Sequence, residues 1–482
     1  MQLSVVMPVL GFLLMVFSLS NFPPIVVGLI YGETEISLFI YTFFITFLGG
    51  MSIWLPYRKV RGNLRTRDGF IITVMFWLVL GLVGSLPFLM MEAPSLSITD
   101  AIFESMSGLT TTGATILTEI DELPRSILFY RQQLQWFGGM GIIVLAVAIM
   151  PMLGIGGMQL YRTETPGPVK DSKLTPRIKE TAKALWMLYV GLTVTCALGY
   201  KLAGMDWFDA ISHSFSTIAI GGFSTHDASI GYFNSPLINV MTTFFMFFAG
   251  INFALHFMAW RGKTLSNYLK DSELKGYILV LSLVSLITVF TLYLSNTHDF
   301  WTSFEYGIFE VVSIATTTGY STTGFSIWPT FLPLLLFITS FIGGCSGSTA
   351  GGMKVVRIML IFKQGIRELH RLVHPNAILT IKLGGQAVHN RVGEAVWGFF
   401  ATYIFLLVVM FLALMATGLD IVTAFSTVAS CLNNLGPALG EAAGNYQTLP
   451  DVAKWILTFA MLLGRLEIFT LLVLFTPVFW RY

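Results

Sequence analysis

Asp100-Ala101-Ile102-Phe103-Glu104, leading to Thr110-Thr111-Thr112-Gly113, decides the fold, because the pattern returns three more times along the chain. Asp209-Ala210-Ile211 leads through Ser216-Thr217 to Gly221-Gly222-Phe223, with the same thirteen residues from aspartate to glycine. The third copy runs from Phe309-Glu310 to Thr316-Thr317-Thr318-Gly319-Tyr320, and the fourth from Thr423-Ala424-Phe425 to Asn433-Asn434-Leu435-Gly436. Each of these apolar runs is too short for a bilayer core, which takes ~20 residues of helix. Each is preceded and followed by a longer apolar stretch.

Working outward, stretches long enough to cross recur at about 4–31, 36–56, 69–91, 129–151, 183–204, 236–260, 276–295, 329–360, 395–417 and 452–479. The composition agrees, with 55% apolar and 11% charged residues among 482, far from a soluble chain. A net charge of +2 gives no reason to invoke nucleic acid. Lys and Arg alternate between connections: segments 161–183, 260–276 and 354–391 hold six, four and seven, whereas 201–236, 295–329 and 418–454 hold one, none and one. Basic connections stay cytoplasmic, so both termini are expected inside and the short runs dip in from outside. The apolar N-terminus lacks a basic leader and a cleavage pattern, which predicts a retained span. Cys196, Cys345 and Cys431 have no paired spacing and read as free thiols.

The expected fold is therefore an all-α integral membrane protein. Four pseudo-repeated units, each span, re-entrant pore loop and span, surround one central pore, and two extra N-terminal transmembrane helices stand outside them. The divisions are 1–66 for the extra helices, then 67–160, 161–262, 263–391 and 392–482 for the four pore units.

Irregular backbone at membrane depth persists only where it is buried in protein or lines water. A short helix entering from outside aims its partially negative C-terminal end at the pore centre, and the strand after it offers carbonyl oxygens. Both features select a cation, and carbonyl rings suit a large, weakly hydrated one such as K+. The candidate potassium-binding residues are Thr111, Thr112 and Gly113; Ile220, Gly221 and Gly222; Thr317, Thr318 and Gly319; and Asn434, Leu435 and Gly436. Glycine serves here because a carbonyl turned toward an ion can require φ > 0. Thr322-Thr323-Gly324 offers a second glycine for the third unit, with the Phe-Glu spacing favouring Gly319. Glu104 and Glu310 are expected in the first turns of their helices, favouring the N-terminal dipole. His213, His256 and the Asn433-Asn434 pair read as hydrogen-bonded packing groups, and no metal-ligand spacing accompanies the histidines.

The four-unit pattern, its glycines, the run Gly343-Gly344-Cys345-Ser346-Gly347-Ser348-Thr349-Ala350-Gly351-Gly352 and Gly464-Arg465-Leu466-Glu467 resemble the Trk/Ktr/HKT potassium transporters along essentially the whole chain. Phe208 to His213, Ser224-Thr225-His226 and the Pro-Gly-Pro between Tyr161 and Pro176 add to the likeness, and the two extra spans match the longer Trk form. The resemblance implies potassium uptake at a bacterial inner membrane, glycine at all four filter positions as the mark of potassium preference, a homodimer with one pore per protomer, and a TrkA-like cytoplasmic nucleotide-binding regulatory subunit. It also makes residues 343–352 an intramembrane gate below the filter, with Arg465 beside the conduction path. Without it, 343–352 reads as a kinked helix, and Arg465, costly in lipid unless paired or hydrated, as a structural partner of a carboxylate such as Glu467.

A cation-coupled transporter built on broken helices is the alternative, but such folds often carry inverted repeats and these four units run one way. An intramembrane enzyme lacks any paired catalytic motif, and no Walker-type loop is present, so nucleotide control is expected from outside the chain.

Overall fold

In the computed structural model, residues 3–60, 66–141, 178–377, 379–388 and 390–481 are described. Among them, six helices are long and apolar enough to cross a membrane: Ser4–Tyr31, Ile36–Tyr57, Arg67–Leu89, Lys183–Ala203, Ser272–Leu294 and Val392–Met415. The two N-terminal spans touch through Gly11 and Gly50, where a Cβ on either would lie under 3 Å from the other's carbonyl oxygen. Small residues at such a crossing let two apolar helices approach to backbone contact.

Between spans lie four short helices, Ile98–Leu109, Trp207–Ala219, Phe300–Ala315 and Ile421–Asn433. Each starts at a side-chain cap that takes an orphan amide of the first turn. Ser97 accepts from Asp100 N at 3.1 Å, Asp206 from Asp209 N at 2.6 Å, Asp299 from Trp301 N at 3.2 Å and Asp420 from Val422 N at 2.9 Å. Their lengths of 12, 13, 16 and 13 residues give about 18–24 Å at ~1.5 Å per residue, less than the membrane's apolar thickness. The polar residues along them, such as Ser107, Ser216, Ser313 and Ser430, are fully buried, whereas Ile36–Tyr57 and Lys183–Ala203 leave most of their apolar surface outward.

The expected spans after the short helices are not continuous. Pro236–Ala249 and Phe253–Gly262 meet at 92°, and Asp451–Arg465 and Phe469–Phe475 at 105°. The first bend is fixed by Asn252, whose Oδ1 caps Ala254 N at 2.8 Å, and the second by left-handed Glu467 and Ile468. The stretch 329–360 divides as expected, into Leu332–Ser340 and Val355–Val373, the latter running well past residue 360. Arg125–Trp136 passes into a π turn at Phe137–Gly141; the rest of span 129–151 and residues 161–177 of the basic segment 161–183, with the Pro-Gly-Pro run, lie outside the described residues. Breaks at this depth are tolerated because other protein segments take up the freed backbone groups: Cys345 N donates to Gly250 O at 2.9 Å and Phe253 N to Gly347 O at 3.1 Å. One small departure from an all-helical fold is the antiparallel pairing of Lys382–Leu383 with Gln386–Ala387.

Candidate functional site

All four short helices end alike. A 6→1 hydrogen bond closes each one: Thr112 N to Ser107 O at 2.9 Å, Gly221 N to Ser216 O at 2.9 Å, Thr318 N to Ser313 O at 2.8 Å and Leu435 N to Ser430 O at 2.9 Å. This closure needs a left-handed residue, supplied by Thr111, Ile220, Thr317 and Asn434 at φ 56°, 54°, 65° and 55°. Two residues on, Gly113, Gly222, Gly319 and Gly436 are left-handed again, at 80°, 77°, 83° and 97°. Successive carbonyls of an ordinary strand point to opposite sides; a left-handed residue at every second position turns them toward one side.

The four segments meet in cyclic order. A Cβ on Gly113 would overlap Gly221 O, on Gly222 Thr318 O, and on Gly319 Leu435 O, while on Gly436 it would lie 2.6 Å from Thr112 O. Positive φ and backbone contact both require glycine at these points. Gly324, by contrast, has φ −67° and open space around it; Gly319 is the glycine in the ring. Asn434 ties the fourth segment to the first, its Nδ2 donating to Thr112 Oγ1 and Met461 O, both at 3.0 Å. Tyr446 donates to Gly436 O at 2.7 Å, and Gln135 donates to Gly221 O while accepting from Phe223 N at 3.1 Å.

The Gly343–Gly352 loop lies against the C-terminal ends of the short helices that carry this ring. Gly351 N donates to Thr317 Oγ1 at 2.7 Å, Gly352 N to Asn433 O at 3.0 Å and Thr349 Oγ1 to Ile218 O at 2.9 Å. Glu273, on the neighbouring span, holds the loop from behind, accepting from Ser346 N at 2.6 Å and Val356 N at 3.2 Å. Arg465 completes the contact with the first unit. Its guanidinium donates to Gly138 O, to Gly139 O at 2.6 Å, to Thr111 Oγ1 at 3.1 Å and to Thr349 O at 3.4 Å. Glu467 pairs with Arg357 at 2.6 Å. Thus the loop and Arg465, far apart in sequence, converge on the same four helix ends.

A family model described as TrkH, cation transport protein, matches residues 35–482. The chain belongs to the TrkH family. It is 58% identical over 481 residues to the Trk system potassium uptake protein TrkH of Halomonas elongata, covering all of both chains. It is 43% identical to TrkG of Escherichia coli, over 98% of this chain and 97% of that one. A crystal structure of the potassium transporter TrkH from Vibrio parahaemolyticus superposes with TM-score 0.91 at 53% identity, over the whole of both chains. The TrkH family consists of transport proteins rather than enzymes, and this member is a multi-pass helical membrane protein.

Two expected roles are corrected by this TrkH-family fold. Glu104 and Glu310 do not sit in first turns; they lie farther along their helices and brace the strands that follow the glycines. Glu104 Oε2 accepts from Ile116 N at 3.0 Å, and Glu310 Oε1 from Thr322 N at 2.7 Å. His213 holds the matching place in the second unit, nine residues before its glycine, bonding Ser224 Oγ at 3.0 Å. His256 bonds Tyr268 Oη at 2.8 Å, and Asn433 lies between Tyr403 Oη and Ser340 Oγ at 2.6 and 3.0 Å. No cluster of metal-ligating side chains occurs among the described residues.

Sequence reading passed over Gln135 and Arg131 because each falls in an otherwise apolar stretch, and Glu273 because it stands among the charged residues of the connection 260–276. The polar run Arg131-Gln132-Gln133 with Gln135, inside a supposed span, was the available signal. A serine six residues before each ring glycine was another.

Proposed function

We propose that the chain is the potassium-translocating subunit of a bacterial Trk-type uptake system, with the four glycine segments as its selectivity filter. The observation that carries this reading is the ring of alternating left-handed residues, closed in order from the first segment through the fourth. An arriving K+ exchanges water for carbonyl oxygens of Thr111 to Gly113 and their counterparts in the other units, while the C-terminal ends of four short helices add partial negative charge. Gly343–Gly352 is the gate, closing the path beneath the filter, and Arg465 sets a positive charge at the same level. The 67–160, 161–262, 263–391 and 392–482 divisions are the four pore units around this path. Both termini face the cytoplasm, where the basic segments meet a nucleotide-binding regulatory subunit, and the working form is a homodimer in the inner membrane.

Flux of K+, Rb+ and Na+ into proteoliposomes holding the purified chain tests the reading. Gly113→Ser is expected to lower the K+ over Na+ ratio, since a side chain there meets the second segment's backbone and disfavours φ > 0. An unchanged ratio in the folded variant would remove Gly113 from the filter.

A further inference from the structure

Arg131 is the most completely enclosed cation among the described residues, with its ion pair to Glu104 showing 1% and 0% side-chain exposure. Its Nε donates to Glu104 Oε1 at 2.8 Å, one terminal nitrogen to Ser224 O at 3.1 Å and the other to Thr115 Oγ1 at 3.1 Å. The Phe223 ring covers the guanidinium, with its centroid 4.2 Å from the central carbon. Thr115 in turn donates to Glu104 at 3.0 Å.

Thr115 and Ser224 each stand two residues beyond a ring glycine, Gly113 and Gly222. A single planar cation therefore spans the outer ends of the first and second segments at equal register. Glu310 braces the third segment in the same way as Glu104 braces the first, taking Thr322 N at 2.7 Å and Thr323 N at 3.4 Å with no basic group among its hydrogen-bond partners. Holding a strand to its own short helix thus needs no cation. What Arg131 adds is the bridge to the neighbouring unit, and only a rigid fork of donors serves three acceptors in one plane. A buried ion pair contributes little net stability over an apolar replacement, so geometry is the stronger reason for its presence.

We propose that Arg131 is a positioning residue for ion selection, setting the separation of the first two filter segments through Glu104, Thr115 and the Ser224 carbonyl. This rests on the filter reading above. Lysine at this place keeps the charge but loses the fork.

The test is the K+ over Na+ flux ratio in proteoliposomes for Arg131→Lys, Thr115→Val and the paired Glu104→Leu with Arg131→Met, which leaves no buried charge unpaired, with Gly113→Ser alongside and thermal midpoints recorded for all. The ratio should fall about tenfold in Arg131→Lys and in the paired variant, the factor one charge-assisted hydrogen bond is worth, with K+ flux itself retained. Lower midpoints with an unchanged ratio, while Gly113→Ser shifts it, would make Arg131 scaffolding and overturn the proposal alone. No shift in any variant, Gly113→Ser included, would overturn the filter reading and this proposal with it.

Discussion

At the scale of single residues, His226 shows how charge is used where the second segment leaves the ring. Its Nδ1 meets Asp121 and its Nε2 meets Asp209 at 3.2 Å; carboxylates only accept, so the arrangement favours the protonated ring, in which both nitrogens donate. Tyr232 stacks on it at 3.5 Å, the His213 ring lies 6.3 Å away, and Asp227 backs Asp121 through its amide. Burial opposes the charge, but the contacts with Asp209 and Asp121 outweigh it and raise the pKa above the ordinary 6.5. For Asp121, burial works against ionisation, yet His226 and Asp227 prevail and hold its carboxyl below the usual 3.8. A raised histidine contributes stability below its unfolded value and loses it as pH rises through the folded one. A depressed aspartate loses its share as pH falls through its folded value. The midpoint advantage of the wild type over His226→Gln should accordingly be largest just below the ordinary histidine value and shrink at higher pH. An advantage that stays constant through alkaline pH would mean that the bridge carries no charge. For Arg465, whose guanidinium holds Thr349 of the loop against Gly138 and Gly139, Arg465→Ala is expected to raise basal K+ flux. The accompanying stability loss should be about 1.5–3 kcal/mol, the value of hydrogen bonds to a charged group. Lower stability with no gain in flux would leave Arg465 as scaffolding.

At the scale of elements, the interrupted helices matter most. Residues 236–260 and 452–479 look like simple spans because their apolar residues continue across the break; hydropathy reports what lipid tolerates, not where a helix axis turns. The 343–352 loop was legible because glycine runs are costly in a helix, at ~1 kcal/mol each. Its partners were not, since hydrogen bonds from Gly351 to Thr317 and Gly352 to Asn433 join segments distant in sequence. A Cβ on Gly351 would overlap Asn433 O and lie 3.1 Å from Thr317 Oγ1. Gly351→Ala should therefore destabilise this loop packing by about 1–3 kcal/mol, which on the gate reading proposed above raises basal flux about 5- to 150-fold while leaving the K+ over Na+ ratio intact. Reduced flux instead would show that the loop must pack in the conducting state.

At the scale of the whole molecule, the helix Val355–Val373 follows the 343–352 loop and carries an exposed apolar stripe, with Phe362, Leu369 and Val373 at 69%, 64% and 72% exposure, beside Arg367 and Arg371. On the gate reading proposed above, a helix leading directly from that loop is the mechanical route by which the proposed cytoplasmic regulator acts. Charge reversal at Arg367 and Arg371 should weaken pull-down of that partner at constant lipid; unchanged pull-down with weakened binding to anionic vesicles would assign these arginines to lipid. By itself the sequence determined that the chain crosses a membrane many times and that four short apolar runs end in a glycine, because apolar length and repeat spacing are properties of the chain read in one dimension. Tertiary structure alone decided that Gly319 rather than Gly324 enters the ring, that Glu104 and Glu310 brace strands, and that Arg131 reaches Ser224. Those outcomes depend on backbone handedness and on contacts between residues up to hundreds of positions apart, which become specified only when four separate segments are packed around one axis.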